Sequence, residues 1–188
     1  MTLAIVLIDG NNFYASCEAV VDPAVVGRPL VVLSNNDGCI VSRSAQARAL
    51  GIPMGMPYFK LRQQLERQGV VVRSSNYALY ADMSQRLMTT LERWVEELEI
   101  YSIDEAFGLL RRPAAGDLSG WGQALRRDVQ RRLGLLLQQR AQRPEAVEHL
   151  GDPEIVALHQ AGEVHPLVPL AQLQLQLLCQ ANITTLHL

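Results

Sequence analysis

An apolar, β-prone run from Leu3 to Ile8 ends on a carboxylate, Asp9. A second run, Ile100 to Ile103, ends on a carboxylate pair, Asp104 and Glu105. Acids where strands emerge from a core, with no lysine or histidine beside them, form a set of hard oxygen donors suited to Mg²⁺. Two such ions about 4 Å apart clamp the attacking and leaving oxygens of a phosphoryl transfer. The competing reading makes each acid a solvated turn residue; three together in these contexts favour the site.

The remaining composition bounds the fold more than the function. A chain of 188 residues is long enough to bury a sizeable core and defaults to one domain. A net charge of −2 neither demands nor excludes a nucleic-acid partner. Positive charge is concentrated between Arg111 and Arg143, where Asp117 and Asp128 are the only acids, and Lys60 is the sole lysine. Cys17, Cys39 and Cys179 are far apart and lack a CxxC spacing, which excludes a disulfide framework or zinc site and fits a cytoplasmic location. No stretch is long and apolar enough to span a bilayer, so no membrane role is expected.

Periodicity predicts alternating strands and helices. Leu3–Ile8 reads as a strand covered on both faces, followed by a helix from Asn12 to Val20. Leu30–Leu33, Cys39–Ser42 and Val70–Val72 read as strands; Ala45–Leu50 and Tyr58–Gln68 read as helices stopped by Gly51 and Gly69. Leu79, Met83, Leu87 and Leu91 recur every fourth residue in a predicted helix from Tyr77 to Val95. Glu99–Leu110 reads as a hairpin with Asp104 and Glu105 at its tip, and Leu118–Leu137 as an arginine-studded amphipathic helix. From about Arg140 the apolar periodicity breaks, and loose packing is expected.

Four blocks carry a family likeness. Asp9-Gly10-Asn11-Asn12-Phe13-Tyr14-Ala15-Ser16-Cys17-Glu18 and Tyr101-Ser102-Ile103-Asp104-Glu105-Ala106-Phe107 resemble the two carboxylate motifs of Y-family translesion DNA polymerases. Leu33-Ser34-Asn35-Asn36-Asp37-Gly38-Cys39 and the segment Ser74 to Ser84 narrow the likeness to its UmuC-like branch. It runs from the N-terminus to about Gly134.

The resemblance implies an α/β chain: an α+β palm-type sheet from residues 1–10 and 77–137, a finger subdomain at 11–76, and an unmatched tail at 138–188. It implies template-directed DNA synthesis opposite damaged bases, within the SOS response. Asp9 and Asp104 match aspartates that bridge two Mg²⁺ ions, Glu105 the third carboxylate, and Gly10 a main-chain carbonyl on the nucleotide-side ion. Tyr14 matches a steric gate that rejects a 2′-hydroxyl; judged without the motif it would be a core tyrosine. Asn12, Phe13, Ser42 and Arg48 match nucleotide-binding positions, although Arg48 alone reads as a solvated helix face. Implied partners are damaged primer–template DNA, a deoxynucleoside triphosphate, a UmuD-like subunit, a RecA filament and a sliding clamp.

Downstream of Gly134 the family's next palm strand, its triphosphate-binding lysine helix, the thumb and the little finger are not recognisable. The expectation is a palm without that edge strand and a fragment that binds DNA poorly, since polymerase affinity rests on spread phosphate contacts. Two other classes compete: a non-catalytic remnant or accessory protein, and a nucleotide-cyclase-like palm enzyme. The latter lacks its Gly-rich hairpin here.

Overall fold

The computed structural model describes residues 2–112 and 118–142. Two sheets organise them. The first is built on β1 (Thr2–Gly10), flanked by β6 (Glu105–Arg112) and β7 (Leu137–Gln142), with β5 (Glu97–Ile100) outside β6. All its pairings are antiparallel. The second sheet holds β2 (Leu30–Leu33) between antiparallel β3 (Ile40–Arg43) and parallel β4 (Val71–Ser74).

Strand β1 shows why the first sheet is one-sided. Ala4, Val6, Ile8 and Gly10 are buried, while Ile5, Leu7 and Asp9 between them are only partly covered. Successive residues point to opposite faces of a strand, so one face meets the core and the other is open. The expectation of a strand covered on both faces is thus corrected. An antiparallel sheet needs only one packed face, and here the helices lie on that side.

Those helices are α1 (Phe13–Val21), α4 (Tyr77–Leu91) and α5 (Leu118–Leu133). Met83, Leu87 and Leu91 of α4 and Leu125 and Val129 of α5 join Val6, Ile8, Ala106 and Leu110 in one apolar cluster. Each fully buried aliphatic of this kind contributes about 1.5–3 kcal/mol. The Asn76 side chain accepts from Leu79 N at 3.1 Å, capping α4 where its apolar stripe begins. The helix ends at Leu91, short of the predicted Val95, because the chain turns there and Trp94 Nε1 donates to Asp128 Oδ2 on α5.

A second cluster forms between the smaller sheet and helices α2 (Ala45–Ala49) and α3 (Tyr58–Arg67). Val31 and Leu33 of β2 point into it with Ile40, Ile52 and Leu65, whereas Leu30 and Val32 point into the first cluster. Strand β2 therefore joins the two cores, and its unbroken apolar sequence reflects burial on both sides.

The structure corrects two expectations about the C-terminal part. Helix α5 stops at Leu133, where Gly134 adopts φ +69° and its N–H returns to Gln130 O at 2.8 Å. Only glycine takes that left-handed conformation without a Cβ penalty. The first sheet also has the edge strand that the resemblance left missing: β7 pairs with β1 from Gly10↔Leu137 to Ile5↔Gln142. The unpaired edge of β1 supplies a template for main-chain hydrogen bonds, which form whatever side chains the incoming segment carries. Of the tail expected to pack loosely, Arg140 to Gln142 lie in β7; residues 143–188 fall outside the described residues.

Candidate active site

The carboxylates gather at the end of β1. Asp9 is the register partner of Glu105 across the β1–β6 pair. Directly opposed residues share a face, with Cβ atoms about 4.5–5.5 Å apart. Asp104 precedes β6 and is fastened from the other side: Gly10 N donates to Asp104 O at 2.9 Å. The approach is close enough that a Cβ on Gly10 would stand 3.2 Å from Asp104 Cβ and 2.9 Å from Phe13 Cδ2. Glycine at this position lets the strand end, the first helix and the second acidic segment meet.

Ser102 organises the acidic pair, a role not foreseen from the sequence. Its Oγ lies 3.1 Å from Asp104 Oδ1 and 3.3 Å from Glu105 Oε2, so the two carboxylates are no farther apart than the sum of those distances. The same oxygen accepts from the backbone N–H of Glu105 at 3.2 Å. Serine hydroxyls commonly bond backbone groups a few residues away and so close such a local turn. Burial raises the Asp104 pKa above its ordinary value, the Ser102 hydrogen bond opposes that, and the Glu105 charge adds to the rise.

This donor set has the chemistry of a hard-cation site: carboxylate oxygens, partial burial, and a like-charge pair that a cation would relieve. The side chains do not form a closed cage. Among the described residues no three acids, histidines or cysteines surround one point. The single Ser102 hydroxyl proton can be donated to either carboxylate of the Asp104–Glu105 pair, while Asp9 faces Glu105 from the neighbouring strand.

Helix α1 begins at the same place. Asn12 caps it at φ 49° and ψ 45°, a left-handed conformation that asparagine tolerates better than most residues. Phe13 turns inward and is 3% exposed, so its ring belongs to the core, where its edge packs against Gly10. Tyr14 is half-buried and stacks on Tyr80, with ring centroids 4.5 Å apart and planes at 24°. Burial and the nearby Asp104 charge both raise its phenol pKa. The structure thus brings Asp9, Gly10, Asn12, Tyr14, Asp104 and Glu105 around one strand end.

The other two expected residues lie on the smaller sheet's side. Ser42 is 5% exposed, and its Oγ accepts from Ala15 N at 3.2 Å, tying β3 to α1. Arg48 is exposed at the end of α2 and makes no ion pair among the described residues. The arginines of α5 form a solvated face; Arg131 and Arg132 pair with Asp128 at 2.7 and 2.9 Å. Cys17 and Cys39 are free thiols, and burial pushes Cys17 up to about 12.

Comparison with known proteins fits this layout. The model of the impB/mucB/samB family matches residues 8–138, which contain every one of these site residues. The chain belongs to that family. It is 55% identical over 130 residues to the protein UmuC of Salmonella typhimurium, covering 69% of this chain and 31% of that protein. It is 33% identical over 135 residues to DNA polymerase IV of Corynebacterium diphtheriae, covering 70% of this chain and 30% of that one. The chain therefore spans about a third of the length of these relatives. Among solved structures, the insertion ternary complex of Dbh DNA polymerase superposes with a TM-score of 0.66 at 23% identity, over 74% of this chain and 42% of that one. That likeness shows that the chain shares the fold of the matching part of that polymerase. No helix of the described residues is long and apolar enough to cross a membrane.

Proposed function

We propose that this chain carries the metal and nucleotide site of a UmuC-like translesion DNA polymerase, acting in the cytoplasm during damage tolerance. The observation that carries the reading is Asp9 facing Glu105 across β1–β6, with Asp104 held beside them by Gly10 and Ser102. In this reading residues 1–10 and 77–137 are the palm, 11–76 the finger, and 138–188 lie beyond the catalytic likeness. Membership of the family and the relative named DNA polymerase IV support the activity.

Asp9, Asp104, Glu105 and the Gly10 carbonyl are the groups that would hold two Mg²⁺ ions. Bound there, the ions would supply Lewis-acid chemistry: activation of a primer 3′-hydroxyl and neutralisation of charge on pyrophosphate. The chain's own residues do the positioning. Ser102 holds the two adjacent acids in register, and Gly10 keeps the strand end against Asp104. The Tyr14 ring lies where a sugar edge would rest and rejects a 2′-hydroxyl by shape. The main chain of Asn12 and Phe13 borders the same space; Arg48 would meet the triphosphate from the finger, and the buried Ser42 hydroxyl ties that finger to α1. Primer–template DNA is the macromolecular substrate. A UmuD-like subunit, a RecA filament and a sliding clamp are the further partners this reading implies.

Titration of the 188-residue protein with a fluorescent deoxynucleoside triphosphate tests the reading. Saturable binding that requires Mg²⁺, is lost in Asp104→Ala and accepts ribonucleotides in Tyr14→Ala is expected. Primer extension by this chain should be weak and of low processivity, since phosphate contacts spread over further domains supply most DNA affinity. Binding indifferent to both Mg²⁺ and Asp104→Ala would overturn the proposal and favour an accessory role.

A further inference from the structure

We propose that Glu18 is a positioning residue for sugar discrimination, holding the Tyr80 hydroxyl and thereby fixing the ring on which Tyr14 stacks. The inference rests on Tyr14 acting as the steric gate.

Tyr14 and Glu18 are four residues apart on α1 and so lie on one face, a turn apart. Both grip a single residue of α4. The Tyr14 and Tyr80 rings stack at 4.5 Å, and Tyr80 Oη donates to Glu18 Oε1 at 2.8 Å. Tyr80 is fully buried and Glu18 is 7% exposed. Among the described residues, the Tyr80 hydroxyl is the only side-chain partner of the Glu18 carboxylate. Burial of a carboxyl group is costly unless hydrogen-bonded, so packing alone would be served more cheaply by an apolar pair.

The hydrogen bond adds direction, which stacking lacks. A stacked pair is attracted over a range of ring placements, whereas a hydrogen bond holds donor and acceptor within a narrow range of distance and angle. Anchoring the hydroxyl at one point stops Tyr80 from moving in its own plane, and the Tyr14 ring inherits that constraint. A gate that works by shape discriminates only if its ring cannot give way. Burial raises the Tyr80 pKa, so the phenol keeps the proton it donates.

The test begins with 3-fluorotyrosine incorporated into the full chain, the Tyr14 fluorine resonance being assigned with Tyr14→Phe. Glu18→Ala and Tyr80→Phe should both shift or broaden that resonance, and Glu18→Gln, which still accepts from the phenol, should restore it. Mg²⁺-dependent binding of dGTP and GTP is then compared. Glu18→Ala and Tyr80→Phe should lose roughly tenfold of the preference for dGTP, with dGTP affinity itself nearly unchanged. Tyr80→Phe preserves the ring and volume, so it remains informative should Glu18→Ala fail to fold. An unchanged Tyr14 resonance in folded Tyr80→Phe, or unchanged preference, overturns the proposal. A wild-type chain that binds no nucleotide overturns the sugar role together with the steric-gate reading. The fluorine spectra separate that result from a failure of Glu18 to hold the ring.

Discussion

Asp9 and Glu105 face each other at the last register position of the β1–β6 pair, two acids on one face of a sheet. Cross-strand neighbours of like charge oppose folding, and Asp104 beside them is additionally pushed towards its neutral form by burial. The arrangement sacrifices stability for a concentration of oxygen donors, the trade expected of a binding site.

The first prediction follows from that cost. A carboxyl group whose folded pKa is raised binds protons more tightly in the folded than the unfolded state. Its charge therefore destabilises at neutral pH, and stability rises as pH falls through the raised value. Asp104→Asn should accordingly increase the melting temperature at pH 7 in the presence of a chelator. It should also remove any increase that Mg²⁺ gives the wild-type protein. Calorimetric scans of both proteins, with chelator and with excess Mg²⁺, check the two effects together.

A second prediction concerns the close approach at Gly10. A methyl group there would press on Phe13 Cδ2 at 2.9 Å and Asp104 Cβ at 3.2 Å, and Phe13 is locked in the core at 3% exposure. Gly10→Ala should cost about 1–3 kcal/mol, the usual penalty for overpacking. Urea unfolding should show a lowered midpoint with an unchanged slope.

How legible the chain was in sequence depended on how local each cause is. Strand β2 is legible to the residue because Pro29 and the Ser34–Gly38 turn bound an unbroken apolar run. Helix α4 started where Asn76 caps it, but its end depends on Trp94 reaching Asp128 on a helix 34 residues away, which periodicity cannot register. Leu135 to Leu137 looked like a continuation of α5 because three leucines carry no period. The free edge of β1 draws Leu137 into β7. Within the site, the acids and Tyr14 announced themselves through motif and position. Their mutual geometry depends on the β1–β6 register, and the Ser102 contacts depend on the turn that brings its hydroxyl back to both acids. Phe13 shows the limit of motif reading, since adjacency to Tyr14 says nothing about which ring turns into the core.

A third prediction reads Asp128. Hydrogen bonds from Trp94, Arg131 and Arg132 hold its carboxyl down to about 2. A depressed folded pKa contributes stability that is present above the ordinary carboxylate value and lost as pH falls towards about 2. The melting temperature of Asp128→Asn should lie below that of the wild type at pH 6. The gap should narrow between pH 4 and pH 2, because the wild type loses its advantage as the carboxyl protonates. Melting curves of the two proteins across that range decide it.

The central claim is that Asp9, Asp104 and Glu105 act as one divalent-cation site, and Mn²⁺ titration followed by electron paramagnetic resonance tests it most directly. In the absence of nucleotide, which itself chelates Mn²⁺, the wild-type protein should remove the free Mn²⁺ signal saturably. Asp9→Asn, Asp104→Asn and Glu105→Gln should each weaken that uptake at least tenfold, as expected when one ligand is withdrawn from a shared set. Undiminished Mn²⁺ uptake in a folded variant carrying all three substitutions would contradict the account.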